Sequence, residues 1–334
     1  MKRRKFISRT IAGSAIAGGT AGLLGSQPAQ AYQSAYLTYA DDVVVERDQP
    51  GQPHKGKVLM AIHPHVDDVP LYCAGAVAKF IKEGYTGYLL KTANDEELLD
   101  TAGKGAVGSD KDNDEIAKVL GLKKAFNLGY RKHRFTDISK KELLMQIIFL
   151  FRLLKVDTVF CMEPWSHYDA NYDHIITGEA VEEAYWHASQ PEDYPEYTKT
   201  GIAPHSVKDV YWYARGPQLV DRVVDISSVV DIKVEANIAN RTWGPSLDRG
   251  VRLREQLAKE NKKLDVLEGD DYTANFNFIK EFQMEGDKEV GKKYGLEYAE
   301  AYHHIGSEMF EPVIREGRTP KLDDYIKKYA KPLR

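Results

Sequence analysis

The sequence is poor in cysteine and, beyond its first 31 residues, has no apolar run of membrane-spanning length. Its two cysteines, Cys73 and Cys161, both lie among apolar residues. We interpret them as buried free thiols rather than a disulfide, because a chain of this length can bury a large core without a covalent link. A spanning helix needs about 20 consecutive apolar residues. The mature chain is therefore predicted to have no stable membrane span.

The sequence also lacks an excess of either charge and a glycine motif for dinucleotides. Its 46 Lys and Arg nearly balance its 50 Asp and Glu, and the formal net charge is −4. Because the two signs are interspersed, no nucleic-acid partner is indicated. No G-x-G-x-x-G follows the first predicted strand, which argues against a dinucleotide cofactor.

Residues 1–31 have the pattern of an export signal. Arg3 and Arg4 precede a Gly- and Ala-rich apolar stretch, and the segment ends in A-Q-A at 29–31. This pattern predicts cleavage after Ala31 and transport by the twin-arginine export machinery. A membrane anchor is the alternative, but the stretch is short and rich in glycine. We expect a periplasmic or secreted protein.

The middle of the chain alternates apolar runs with helical patterns, which predicts a Rossmann-like α/β fold. We expect a mostly parallel sheet flanked by helices, with right-handed crossovers. The predicted strands are 58–62, 85–91, 124–128, 156–162, 209–215 and 222–226.

The predicted organisation has four parts. They are the signal (1–31), an N-terminal arm (32–56), the α/β core (57–227) and a helical C-terminal extension packed on the core (228–334). Small residues among Lys and Asp predict a mobile surface loop at 100–113, and a helix is predicted at 287–304.

Two polar clusters follow predicted strands. His65, Asp67 and Asp68 come directly after the first strand, where an α/β sheet binds ligands. They are either a metal site or a loop that caps the next helix. His174 follows the fourth strand, and it meets His65 and Asp68 if the first and fourth strands are neighbours. Two His and one carboxylate, with a position open for water, form a catalytic zinc set.

The remaining histidines are interpreted as structural or exposed. His63 is a supporting or structural residue rather than a ligand, and His167 is a surface residue. His303 and His304 could reach the site from the C-terminal region, but we favour a structural role for this pair.

The segments PHVDDV (64–69) and NYDH (171–174) resemble the two motifs of the PIG-L/LmbE family of zinc-dependent N-deacetylases. The helix after the first motif and NLGYR (127–131) match as well, and the resemblance spans about 57–225. It implies an LmbE-like core with one Zn²⁺ per chain on His65, Asp68 and His174, although iron and manganese stay open. It also implies that Asp67 is the general base for a metal-held water that attacks the amide carbon.

Four positions depart from the family pattern: Val66 replaces Pro, Val69 replaces Glu, Asn171 replaces the His of some members, and Lys132 replaces an Asp. Asn171 is still a candidate catalytic residue. It can donate a hydrogen bond but cannot shuttle a proton, which leaves the general acid open. The Lys132 position is one where sugar specificity is set, so the substrate is not inherited from the family.

The resemblance implies a hydrolase that removes an acetyl or other acyl group from an amide nitrogen. Its substrate would be an N-acetylated sugar or glycoconjugate. The alternative is a non-catalytic metal-containing carbohydrate-binding protein of the same fold. Asp67 favours the hydrolase, because a binding protein needs no base, whereas Val69 and Asn171 keep the alternative open.

Overall fold

The computed structural model describes residues 37–96, 103–165, 167, 169–242, 248–306 and 320–332. The predicted export signal at 1–31 lies outside these ranges, as does the start of the predicted arm. Among the described helices, none combines the length and the apolar character needed to cross a bilayer.

The described residues form one eight-stranded sheet in the order β1-β7-β8-β6-β5-β2-β3-β4. Its strands are β1 Leu37–Glu46, β2 Val58–His63, β3 Thr86–Ala93, β4 Lys124–Tyr130, β5 Thr158–Met162, β6 Asp209–Tyr213, β7 Gln218–Asp225 and β8 Ala299–Gly306. Only β8 runs antiparallel to its neighbours within this sheet. The predicted mostly parallel α/β architecture is confirmed.

Helices flank this sheet in two packed groups. α4 packs on α5, and α7 packs on α2 and α3. The helices are α1 Asp68–Tyr72, α2 Ala74–Lys82, α3 Lys104–Val119, α4 Lys140–Leu154, α5 Tyr172–His187, α6 Pro195–Lys199, α7 Val230–Ala239, α8 Arg249–Lys259, α9 Asp271–Phe278, α10 Glu285–Lys293 and α11 Pro320–Tyr329. A 3₁₀ turn at Phe135–Asp137, another at Asp265–Leu267 and a π-helical turn at Ile279–Gln283 complete the helical segments.

The hydrophobic core explains why the central elements form. β2 is buried over five of its six residues, as a strand covered on both faces should be. α4 buries Leu143, Leu144, Ile147, Ile148 and Phe151, which recur at helical spacing. Cys73 and Cys161 are buried and free, as predicted.

The prediction of a loop at 100–113 is wrong from Lys104 onward, where α3 begins. Within 104–113 the buried positions of α3 are polar, so a hydrophobic pattern does not reveal this part of the helix. These buried positions are Ser109, Asp112 and Asn113. The Asp112 carboxylate, for example, accepts the backbone N–H groups of Arg241 and Thr242.

Two segments outside the predicted core join the sheet. β1, in the predicted arm, pairs in parallel with β7 at one edge. The helix predicted at 287–304 is wrong in its second half, because α10 ends at Lys293, Gly295 takes a positive φ of 68°, and β8 follows. His303 and His304 therefore lie on a strand.

Candidate metal centre

The two polar clusters meet at one edge of the sheet. β2 and β5 are parallel neighbours, which meets the condition stated in the sequence analysis, so their carboxyl ends lie side by side. His65 and Asp68 follow β2, and His174 lies in the first turn of α5, which follows β5. This edge is where α/β sheets bind their ligands.

The three predicted ligands form one buried group. One ligand atom from each of His65, Asp68 and His174 lies within 4.8 Å of the others. His65 Nδ1 is 3.1 Å from His174 Nε2, and the Asp68 carboxylate lies 3.7 Å from His65 Nδ1 and 3.6 Å from His174 Nε2. Tetrahedral zinc, with bonds of about 2.0–2.1 Å, spaces its ligand atoms by roughly 3.4 Å. The spacing therefore fits a single metal ion.

In each imidazole ring, the nitrogen that faces away from the other two ligands is hydrogen-bonded to a carboxylate. His174 Nδ1 lies 2.6 Å from Asp169 Oδ2, and His65 Nε2 lies 3.1 Å from Asp173 Oδ2. A histidine that donates to a carboxylate in this way turns the lone pair of its other nitrogen outward. Both lone pairs then point at the same small space beside the Asp68 carboxylate. A cation in this space would interact favourably with both nitrogens and the carboxylate.

Asp169 and Asp173 stay charged although they are largely buried. Burial is the largest single effect and raises the pKa of each carboxyl group, but the hydrogen bond to its histidine, a backbone hydrogen bond and nearby positive charge together lower the pKa. The hydrophobic and spacing patterns assign neither residue a role. The sequence signals for them are that Asp173 is part of the NYDH motif (171–174) and that Asp169 precedes His174 by five residues.

Asp67 lies beside the three candidate ligands but makes different contacts. It occupies the N-cap position of α1, yet its side chain makes no capping hydrogen bond. Asp68 instead accepts the backbone N–H of His65 at 2.9 Å. Burial, followed by the charge of Asp68, raises the pKa of Asp67 to about 6. A carboxylate with such a pKa is suited to accept a proton near neutral pH.

The loop that carries these residues is anchored from two sides. Val66 and Val69, which depart from the family motif, are wholly buried in the core. The backbone N–H of Val66 donates to Asp95 Oδ2 at 3.2 Å, and Asp95 in turn binds Ser109 and Lys91. Apolar packing of the two valines therefore holds in place the loop that carries His65, Asp67 and Asp68.

Asn171 has a structural contact as well as a place beside the cluster. Its Oδ1 accepts the N–H of Asp173 at 3.1 Å and so caps α5. Its Nδ2 lies 3.2 Å from His174 Nε2. A primary amide at this position can orient a group by hydrogen bonding but cannot transfer a proton.

The other histidines that the sequence singles out are not among the three converging residues, and His167 is exposed. His63 is wholly buried, and its Nε2 bonds Asn113 Oδ1 at 2.9 Å. Burial lowers the pKa of His63 to about 4, so this ring is neutral. His303 packs against Trp165, and His304 bonds Arg222 and Asp209 on the sheet.

Two exposed cationic or basic groups near the cluster are not predicted from the sequence. Arg215 follows β6, and its Nη1 lies 3.8 Å from Asp169 Oδ1 with 48 % of the side chain exposed. His133 follows β4, and its ring centroid lies 6.0 Å from that of His65. Both reach the site through the sheet order, which brings together residues far apart in the chain.

Comparison with known proteins gives a family match. A model of the PIG-L family, described as GlcNAc-PI de-N-acetylase, matches residues 60–185. The diacetylchitobiose deacetylase of Thermococcus kodakarensis is 28 % identical over 187 residues, which are 54 % of this chain and 67 % of that protein. The predicted resemblance to the PIG-L/LmbE family is confirmed.

Solved structures share the fold. The N,N′-diacetylchitobiose deacetylase of Pyrococcus horikoshii superposes with a TM-score of 0.59 and 21 % identity, covering 80 % of this chain and 88 % of that one. The 4-carboxy-2-hydroxymuconate hydratase GalB of Pseudomonas putida gives a TM-score of 0.54 and 14 % identity, covering 75 % and 96 %. These two structures carry different activities, so the shared fold does not by itself define the chemistry.

Proposed function

We propose that this protein is a metal-dependent hydrolase that removes the acetyl group from the amide nitrogen of an N-acetylated sugar or glycoconjugate. The observation that carries the proposal is the cluster itself. Two imidazoles, each hydrogen-bonded to a carboxylate, converge with Asp68 beside Asp67, whose own carboxylate makes no capping hydrogen bond. The relatives named as chitobiose deacetylases support an N-acetyl sugar as the class of substrate.

The donor set suits one divalent ion, and we take it to be zinc. Two imidazole nitrogens and one carboxylate match the ligands of catalytic zinc sites, which keep a further position open. When bound there, the ion would polarise a carbonyl oxygen and lower the pKa of a water molecule. Asp169 and Asp173 hold the two imidazoles in the orientation that binding requires.

The residues of the chain divide the remaining work. Asp67 accepts the proton that the attacking water loses, since its carboxylate is neither a cap nor one of the three converging ligands. Arg215 provides a permanent positive charge at the exposed side of the cluster, where it can stabilise negative charge on the substrate oxygen. Asn171 orients groups beside His174.

The alternative function is carbohydrate binding without turnover. A binding protein has no use for a buried carboxylate of raised pKa beside the ligands, so Asp67 favours the hydrolase. The two functions differ in one measurable product, which is acetate.

The decisive experiment measures metal content and acetate release together. The protein is purified from Tyr32 onward, and acetate is assayed with N-acetylglucosamine, diacetylchitobiose and larger N-acetylated glycans. We expect about one zinc per chain and acetate release that a chelator abolishes. The matched variants are His174→Ala, which should lose metal and activity, and His187→Ala, which should retain both because the half-exposed His187 ring pairs with Asp193. A metal-loaded protein that binds these glycans but releases no acetate would support the binding function instead.

A further inference from the structure

The proposed reaction needs a proton donor that the cluster does not supply. When the amide C–N bond breaks, its electron pair goes to nitrogen, and an amine leaves easily only if that nitrogen is protonated. His65 and His174 have both ring nitrogens engaged, one with a carboxylate and one with the shared centre. Asn171 has no proton to transfer. A further side chain must therefore reach the site.

The geometry points to His133 as the group that gives this proton to the leaving nitrogen. His133 is exposed, and its ring centroid is 6.0 Å from the His65 ring. Lys132 is buried, and the exposed neighbours Arg131 and Arg134 form ion pairs with Glu96 and Asp137, whereas the His133 ring lies against His65. Within the part of the chain that the structure describes, the His133 imidazole makes no hydrogen bond. It is therefore available to a substrate.

The backbone holds His133 in place through the cluster itself. Its N–H donates to Asp173 Oδ2 at 2.7 Å, and the same oxygen bonds His65 Nε2. One carboxylate oxygen therefore sets the positions of both rings. The residue also has a positive φ of 57°, which few residues other than glycine adopt and which costs free energy. Such conformations concentrate at functional sites, where the surrounding contacts maintain them.

The proton balance closes with these groups. Water supplies the hydroxyl that bonds to the acetyl carbon, and Asp67 takes the proton that water loses. The C–N bond breaks, the nitrogen keeps the electron pair, and it receives the proton from the His133 ring. The products are the free amine and acetic acid, which ionises to acetate by releasing its proton to solvent, and the proton on Asp67 returns through solvent to His133. This assignment rests on the proposed deacetylation.

Two substitutions test the role without straining the backbone. His133→Gly removes the ring and suits the positive φ, and His133→Asn tolerates the same φ while keeping a hydrogen-bond donor. In both variants we expect kcat for acetate release to fall on the order of 10²–10⁴-fold, with metal content unchanged. Added imidazole should raise kcat of His133→Gly at least several-fold. It should not raise kcat of His133→Asn, in which the amide side chain fills the space. Rates are compared with wild type at the same imidazole concentration.

The neighbouring Arg134→Ala is the control. Among the described residues, the Arg134 side chain pairs with Asp137 alone, in an exposed ion pair, so this variant should leave kcat unchanged. A His133→Gly enzyme with kcat within threefold of wild type overturns the assignment. A fall in kcat that imidazole does not reverse, or one that accompanies metal loss, marks a structural role and also overturns it. If wild type releases no acetate from any substrate, the proposed function fails as well, so the two failures are distinguishable.

Discussion

Glu300 is a residue whose substitution should lower the free energy of unfolding without touching the metal centre. It lies on β8 and is 2 % exposed, and its carboxylate accepts four hydrogen bonds. The donors are the N–H groups of Gly75 and Ala76 at 3.0 and 2.8 Å, Lys233 Nζ at 2.7 Å and the Tyr302 hydroxyl at 2.5 Å. The two amides belong to the first turn of α2, whose N–H groups have no partner within the helix.

The perturbation is Glu300→Gln, which keeps the size of the side chain but replaces one oxygen by an NH₂ group. The NH₂ group is itself a donor, so it cannot accept the hydrogen bonds that the replaced oxygen accepted. The wholly buried Lys233 also loses one of its two carboxylate partners. Removing one partner of a buried ion pair costs about 3–5 kcal/mol. Because Asp287 still pairs with Lys233 at 2.8 Å, we expect about 3 kcal/mol, the lower end of this range. Domains are typically stable by about 5–15 kcal/mol, so the loss is large.

Urea unfolding followed by tryptophan fluorescence measures this loss. With an m-value of about 3 kcal/mol/M, the midpoint should fall by about 1 M at unchanged m. Glu297→Gln makes the same chemical change at an exposed position three residues earlier and should leave the midpoint unaltered. A Glu300→Gln midpoint within 0.3 M of wild type, roughly 1 kcal/mol, would show that the buried network contributes little and refute the reasoning.

Four further outcomes are expected. Asp67→Asn should lower kcat on the order of 10²–10⁴-fold with metal retained, whereas Asp68→Asn should lose both metal and activity; elemental analysis alongside acetate assays separates the two. His174→Ala should empty the site and leave the circular dichroism spectrum unchanged, and full metal occupancy in this variant would contradict the ligand assignment. Asp169→Asn should weaken metal affinity by about 10–100-fold in a competition titration, because His174 loses its orienting carboxylate. The exported protein should begin at Tyr32 in N-terminal sequencing, and an intact segment 1–31 would indicate a membrane anchor.

The sequence predicts those parts of the structure that depend on local pattern. β2 and α4 follow from apolar runs and helical spacing, and the meeting of His65 with His174 follows once β2 and β5 are taken as neighbours. Because neighbouring parallel strands place their carboxyl ends at the same edge of the sheet, the meeting of the two histidines can be inferred without knowing any other contact.

The parts that the sequence does not predict depend on partners distant in the chain. α3 buries polar residues whose partners lie on other elements, so its pattern looks like a loop. β8 contains Glu300, and a glutamate is unexpected in a buried strand. Its carboxylate is stabilised there by backbone N–H groups of α2 and by Lys233, neither of which the local sequence reveals. His133 and Arg215 join the site only through the sheet order.

The position of β8 has a consequence for synthesis of the protein. Among the described strands it comes last in sequence, yet it lies between β6 and β7. Until residue 306 has left the ribosome, β6 and β7 cannot complete their hydrogen bonding, and each presents an open edge that can pair with other chains. β1 is bound to the sheet only through β7, so it waits as well. Three of the eight strands, β1, β7 and β8, therefore join the sheet only after residue 306 has emerged, and a nascent chain that stops before Ala299 leaves two separated fragments rather than one smaller sheet.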